Sequence, residues 1–260
     1  MPDNRSERLY EDRDRALSFG GVAELYDRAR PSYPSALIDV LMGPGPRRAL
    51  DVGCGTGKAA RLLIERGCDL LGVEPDPSMA AVARRHGISV EEATFESWDS
   101  RGRMYDLIVS GQAWHWVDPV LGVTKAGSLL DPGGRLGVFW NRGWPEKDAQ
   151  RVLEAAYARC APEIAKTNVA LNPTNEPADR LEEFQKGGAF TNVEVRVFPW
   201  SAQYDRSGWI DLIATHSDHV RLPDARRRAL LDAVGDAVDA LGGSMTYHYS
   251  TLLVLATRGI

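Results

Sequence analysis

ALDVGCGTGKAARLL, residues 49–63, decides how this chain is read. Three glycines at alternate positions, Gly53, Gly55 and Gly57, stand between an apolar run and a helical pattern, and an acid, Asp51, precedes them. An apolar run that ends in glycines and opens a helix is a strand-to-helix join where a ligand can meet bare backbone. No Cβ obstructs the approach and positive φ costs little. The first turn of the helix beyond offers unpaired N–H groups.

The flanking pattern alternates in the same way. A helical segment at 19–30 leads through a PSYP turn to a short helix at 35–42, stopped by GPGP at 43–46. Strands are expected at 48–52, 69–73, 88–92, 105–110 and 135–140, with helices at 58–65, 78–86 and 120–130, the last ended by DPGG. Strand and helix in turn imply βαβ units and a mostly parallel sheet. After Trp144 the character changes. Residues 146–188 read as helical and irregular, with a polar NPTNEP loop at 172–177. A strand at 193–198, helices at 207–217 and 223–241 and a strand at 249–257 then complete the sheet. The organisation expected is a leader and lid at 1–34, a core at 35–145, a helical cap insertion at 146–190 and sheet completion at 191–260.

Composition narrows the function. The 260 residues suit one α/β domain with an insertion or two small domains. The net charge of −5 is spread along the chain, so no basic stripe suggests nucleic acid. The charged N-terminus lacks the apolar core of a secretory signal, and no apolar run approaches the roughly 20 residues of a membrane span. Three cysteines without CxxC spacing argue against a disulfide framework or structural zinc and fit a reducing cytoplasm. A small-molecule partner, no metal, no membrane and a monomer or homodimer are expected.

Three ligands compete for the glycine turn. A P-loop requires GxxxxGK[ST]; here Val52 stands where its first glycine belongs and Ala59 where Ser or Thr belongs. A dinucleotide loop, GxGxxG, meets Lys58 at its third position. The third reading is S-adenosylmethionine (SAM): DVGCGTG resembles the first motif of class I SAM-dependent methyltransferases, an acid followed by GxGxG. A bare tight turn, with Asp51 and Glu74 merely capping helices, is the structural alternative.

The resemblance extends along the chain. SFGGVAELYDRARPSYP is similar to the N-terminal element of the methyltransferase type 11 family and its trans-aconitate-methyltransferase-like relatives, which folds over the SAM pocket; it implies contacts from Tyr26, Arg30 and Tyr33. GVEPDPSMAAVAR resembles the second motif, with Glu74 on the ribose and Pro75 and Met79 against adenine. EEATFESWD resembles the next adenine loop, with Thr94, in place of the usual acid, and Phe95. YDLIVSGQAWHWVDP resembles the fourth motif, placing Gln112 at the methionine end and Trp114, His115 and Trp116 between cofactor and acceptor. Residues 215–234 also resemble the family's C-terminal region. The resemblance implies cofactor contacts from Asp51, Gly53, Cys54, Gly55 and Gly57 as well, and a Rossmann-like seven-stranded sheet with helices on both faces and a helical cap, the last strand antiparallel between the fifth and sixth.

Methyl transfer from a sulfonium is an in-line displacement that needs alignment and exclusion of water. An acceptor hydroxyl also needs a base, and position makes His115 the candidate. Trp140 and Arg142 are candidate acceptor contacts, with Trp144 beside them, and Tyr33 is placed on the acceptor side. His216 and His219, one turn apart with Asp218 between, show no evident third metal ligand and read as a solvated or substrate-facing helix; His86 and His248 read as incidental. The expected function is SAM-dependent methylation of a small molecule, at oxygen. An NAD(P)-dependent oxidoreductase and a non-catalytic SAM-binding protein are the alternatives; the first lacks a Tyr-x-x-x-Lys pair and a small residue at position 58.

Overall fold

The apolar runs become β1 (Arg48–Val52), β2 (Asp69–Val73), β3 (Ser89–Glu91), β4 (Tyr105–Gly111), β5 (Leu130–Pro145), β6 (Phe190–Asp205) and β7 (Ser244–Arg258). The computed structural model describes residues 6–43, 45–165, 168, 170–171, 184–185 and 188–259. These strands form a seven-stranded sheet of order β3-β2-β1-β4-β5-β7-β6. β3-β2-β1-β4-β5 are mutually parallel. β7 lies antiparallel between β5 and β6, as the resemblance implies.

Besides single turns at Arg13–Ala16, Pro162–Ala165 and Ser217–Val220, the helices are α1 (Ala23–Ala29), α2 (Ser35–Met42), α3 (Lys58–Ile64), α4 (Pro77–Arg85), α5 (Pro119–Leu129), α6 (Lys147–Cys160), α7 (Arg206–Ala214) and α8 (Asp224–Ala240). Two begin at Asp-Pro signals legible in the sequence. Asp76 accepts from the N–H groups of Ser78 and Met79, and Asp118 from those of Val120 and Leu121, satisfying donors that a helix start leaves unpaired.

Side chains of successive strand residues point to opposite faces, and each face is covered. Ile108, Leu136 and Val138 pack under α5 with Val123, Ala126 and Leu129. Leu107, Val109 and Phe139 pack under α2 and α3 with Leu37, Leu41, Ala60 and Leu63. A separate core joins Leu153 and Tyr157 of α6 to Trp209, Leu212 and Ile213 of α7, Leu230, Val234 and Val238 of α8, and Tyr247 and Tyr249 of β7.

The strands of the last third are longer than their apolar runs. β5 continues past Trp140 to Pro145, paired with β7 from Trp140↔Leu252 to Pro145↔Tyr247, and β6 pairs with β7 as far as Asp205↔Ser244. An antiparallel ribbon thus runs beyond the parallel sheet's carboxyl edge. Its alternating polar residues leave no apolar run to read, which is why 135–140, 193–198 and 249–257 are too short. DPGG does not separate helix from strand; it sits inside β5, where the register shifts between Tyr105 and Leu107. The helix expected at 207–217 ends at Ala214. The NPTNEP loop lies outside the described residues. Among those described, no helix is long and apolar enough to cross a membrane.

Gly57 corrects one expectation. It has φ +85° and caps α3, and a Cβ there would stand 2.1 Å from Ile88 Cδ1. It does not line the cavity beside the loop; it lets α3 close onto Ile88. Gly57→Ala is therefore expected to destabilise the fold by about 1–3 kcal/mol through strain and overpacking while sparing ligand affinity. Thermal denaturation and calorimetry check both, and an unchanged Tm would contradict this packing role.

Candidate functional site

The carboxyl ends of β1, β2 and β4 meet at one edge, the position where open α/β sheets bind ligands. The loop after β1 is folded back on β2: the N–H groups of Gly53 and Cys54 both donate to the Val73 carbonyl, at 2.8 and 3.2 Å. Gly53 and Gly55 have φ of +66° and +56°. A Cβ on Gly53 would lie 2.5 Å from that of Ala113, after β4, so this loop and the β4 loop approach as closely as glycine permits.

Glu74, at the end of β2, fixes the arrangement. One carboxylate oxygen accepts from the Gly55 N–H at 2.8 Å and the other from the Asp76 N–H at 2.9 Å. Burial pushes its pKa up to about 7, against the pull of those two amides. Asp51 is buried beneath the loop, and burial together with the Glu74 charge pushes it up to about 8, with the Ala60 amide pulling the other way. Neither Asp51 oxygen meets a donor at hydrogen-bond geometry, whereas the Thr56 hydroxyl bonds the Asp27 carboxylate and helps hold it low. Buried polar atoms are almost always paired, so the two Asp51 oxygens are exceptional in this corner.

Around them runs a cavity lined by Tyr26, Arg30, Tyr33, Asp51, Gly53, Cys54, Gly55, Glu74, Pro75, Met79, Thr94, Phe95 and Gln112. Every cofactor contact expected except Gly57 lines it. Gln112 is held at φ +60°, a conformation uncommon outside glycine and frequent at functional sites. Its N–H donates to the Phe139 carbonyl and its side-chain amide to the Asn141 carbonyl. The Thr94–Phe95 loop is braced by Arg103, which donates to both oxygens of Glu91 at 3.0 and 2.9 Å.

A second cavity of about 300 Å³ adjoins the first through Phe19, Tyr26, Arg30, Gln112, Trp116 and Asn141, which border both. His115, Trp140 and Arg142 line it with Tyr247 and Tyr249 of the ribbon, Arg15, and His216 and Asp218 at the Ser217–Val220 turn. The N-terminal element forms one wall. Arg30 donates to the Thr215 hydroxyl and carbonyl, and Arg15 to the Ser217 hydroxyl at 3.0 Å. On the other side Asp27 accepts from Arg61 at 2.9 Å and pairs with His86 at 2.8 Å, so His86 is part of the clasp that holds this element.

Several expectations change. Trp114 is fully buried and packs against Phe95 and Phe184. In the tight turn Trp114–Trp116 it points into the core, while His115 and Trp116 face the cavities. Tyr33 packs edge-on against Phe139 and lines the first cavity, not the second. Trp144 lines neither; it is exposed and stacks on His248. His115 Nδ1 accepts from Trp140 Nε1 at 3.2 Å. That ring nitrogen is therefore occupied by the Trp140 indole N–H. His216 and His219 are buried rather than solvated. Their ring nitrogens and the Asp218 carboxylate lie within 4.8 Å of one another, but His219 is engaged by Asp218 at 2.8 Å and by Tyr157 at 2.6 Å.

Sequence reasoning passed over Phe19, Thr56, Glu96 and Asn141 as lining residues. Thr56 stands inside the quoted motif and Phe19 inside the N-terminal element, so both were within reach. Asn141 depends on the unseen extension of β5.

Residues 26–166 match the family model described as a methyltransferase domain. The chain is 34% identical over 252 residues, 94% of this chain and 97% of the relative, to an uncharacterized methyltransferase of Mycobacterium tuberculosis. It is 33% identical over 117 residues, 43% of this chain and 45% of the relative, to a trans-aconitate 2-methyltransferase of Rhizobium leguminosarum. Among solved structures, a candidate type II methyltransferase from Anaeromyxobacter dehalogenans shares the fold, with a TM-score of 0.64 and 19% identity over 88% of this chain and 97% of that one. The chain belongs to the methyltransferase-domain family and is a SAM-dependent methyltransferase.

The Asp51 carboxyl carries a pH signature. With its pKa raised from 3.8 to about 8 in the fold, the folded protein holds a proton that the unfolded chain has lost between those values. Stability conferred by the protonated form is therefore complete below about pH 4 and is lost as pH rises through about 8. Asp51→Asn removes this dependence. The Tm advantage of the ligand-free variant over the wild type is expected to be larger at pH 8 than at pH 5; an equal difference at both would contradict a buried, unpaired carboxyl.

Proposed function

We propose that this enzyme binds SAM in the cavity at the β1–β2–β4 edge and transfers its methyl group to an oxygen of a small molecule held in the adjoining cavity. The observation that carries the reading is the buried Asp51 carboxylate without a donor, beneath a loop that brings bare backbone to the same cavity. When bound, SAM supplies a methyl group on positively charged sulfur. The chain's residues do the rest. Asp51 receives the ligand's ammonium. Glu74 has oxygen lone pairs beyond its two backbone bonds to accept from ribose hydroxyls. Pro75, Met79 and Phe95 flank the adenine, and Gln112 and Arg30 stand at the junction with the second cavity.

Oxygen as the acceptor atom is supported by charge. Arg15, Arg30 and Arg142 line the second cavity, and they favour a group that is, or becomes, anionic over a cationic amine. Its partly aromatic wall and closure by the N-terminal element suit a small molecule rather than a polymer. α6, within the cap expected at 146–190, is joined in that role by the ribbon, α7 and α8, and the N-terminal element from residue 6 to residue 34 acts as the lid. The nicotinamide alternative gives way to the family assignment.

Asp51→Asn and Glu74→Ala should each weaken SAM binding by roughly 10- to 100-fold, the scale of one hydrogen bond to a charged group, without unfolding the protein. Isothermal calorimetry measures this, and unchanged affinity in both variants would remove SAM from this cavity.

A further inference from the structure

His216 stands at the turn between α7 and the Ser217–Val220 turn, with its backbone N–H bonded to the Ile213 carbonyl at 3.0 Å and its carbonyl accepting from His219 and Val220. The side chain is more than nine-tenths buried and lines the acceptor cavity. Its Nδ1 is desolvated and has no hydrogen-bond partner. The groups facing it are Arg30, just past the end of α1, and Asp218 and His219 from its own turn. Burial and the Arg30 charge hold its pKa well below the usual imidazole value, with Asp218 opposing them. The ring is neutral at pH 7 and has one bare nitrogen. His115, the other described imidazole in this cavity, has its Nδ1 taken by Trp140.

In the tautomer that carries its hydrogen on Nε2, His216 Nδ1 is a buried acceptor that calls for a donor from the ligand. A carboxylate acceptor brings none; a hydroxyl does. The surroundings choose among hydroxyls. Trp116, Trp140, Tyr247 and Tyr249 supply flat apolar surface, which suits a planar ring. Arg15 and Arg30, fixed on Ser217 and Thr215 beside His216, supply positive charge for an oxygen that loses its proton.

We infer that the acceptor cavity takes an aromatic hydroxyl compound, a phenol, and that His216 is the general base that receives its proton. The inference rests on the proposed O-methyltransferase reading. In the step, the phenolic O–H bond breaks and its proton passes to Nδ1 of His216. The oxygen's electron pair forms the new O–CH3 bond. The pair of the breaking C–S bond stays on sulfur, which loses its positive charge, and the imidazolium later returns the proton to water.

The test uses the full-length enzyme, SAM and a series of simple phenols running from weakly acidic 4-methoxyphenol to 4-nitrophenol, which is largely ionised near neutral pH. Aryl methyl ethers and S-adenosylhomocysteine (SAH) are measured by mass spectrometry. Wild type is expected to form the methyl ethers. In His216→Gln, kcat/KM should fall roughly 100-fold or more for the weakly acidic phenols, the scale of a lost general base. The deficit should shrink toward 4-nitrophenol, which needs no base, with SAH affinity unchanged. A deficit equal across the series, or none, would overturn the role of His216. A wild-type enzyme that binds SAH and methylates no phenol would overturn the substrate class. Should His216→Gln lose SAH affinity, the wild-type series decides alone: a shallow dependence on phenol acidity supports the base, and a steep rise with acidity overturns it. Failure of the wild type to bind SAH at all would instead overturn the cofactor reading beneath this inference.

Discussion

Glu74 ties the site together. Its carboxylate grips the Gly55 amide with one oxygen and the Asp76 amide with the other, and so locks the loop after β1 to the start of α4. Asp76 in turn caps that helix, leaving Met79 against the cavity. Because Glu74 is buried, its charge raises the cost of ionising Asp51 close by. Two acids in one dry corner, one satisfied by backbone and one without a donor, make a poor structural device. Structural carboxylates are paired; this arrangement stores an unmet electrostatic demand in the wall of a cavity.

The second level of organisation is how the chain walls off the space beside that corner. The antiparallel ribbon of β5, β6 and β7 carries Trp140, Tyr247 and Tyr249 beyond the sheet. The core shared by α6, α7 and α8 holds the ribbon and the His216 turn in place. The N-terminal element closes the remaining side and is tied to both bodies, through Asp27 to Arg61 and His86 and through Arg30 to Thr215. Arg30 borders both cavities and carries one of these ties, so the N-terminal element and the two cavities meet at a single side chain. In-line transfer gains from such closure because it excludes water and fixes the approach.

Much of this was legible before any coordinates. β1, β2 and α2 have the bounds their apolar runs indicate, because short parallel strands buried on both faces leave a continuous signal. Asp51, Glu74 and Met79 line the cavity where motif spacing puts them. What was not legible depends on three dimensions. The ribbon's outer halves alternate polar and apolar residues and read as loop. Trp114 and Trp116 are two positions apart in one motif, yet one is core and the other cavity wall, a difference set by a single tight turn. Gly57 looks like a ligand glycine and is needed for Ile88. His115 was favoured over His216 by its position in a motif; the Trp140 bond on one ring and the unpartnered nitrogen on the other are visible only in three dimensions.

The most direct test of the central claim is calorimetric titration of the wild-type protein with SAH near pH 6.5, in buffers of different ionisation heats, with NADH as the competitor. The account predicts SAH binding with release of protons to the buffer, because the ligand's ammonium recharges an Asp51 that is protonated in the free protein. It also predicts no displacement by NADH. Binding without proton release, or displacement of SAH by NADH, would contradict the assignment of the Asp51–Glu74 corner to SAM.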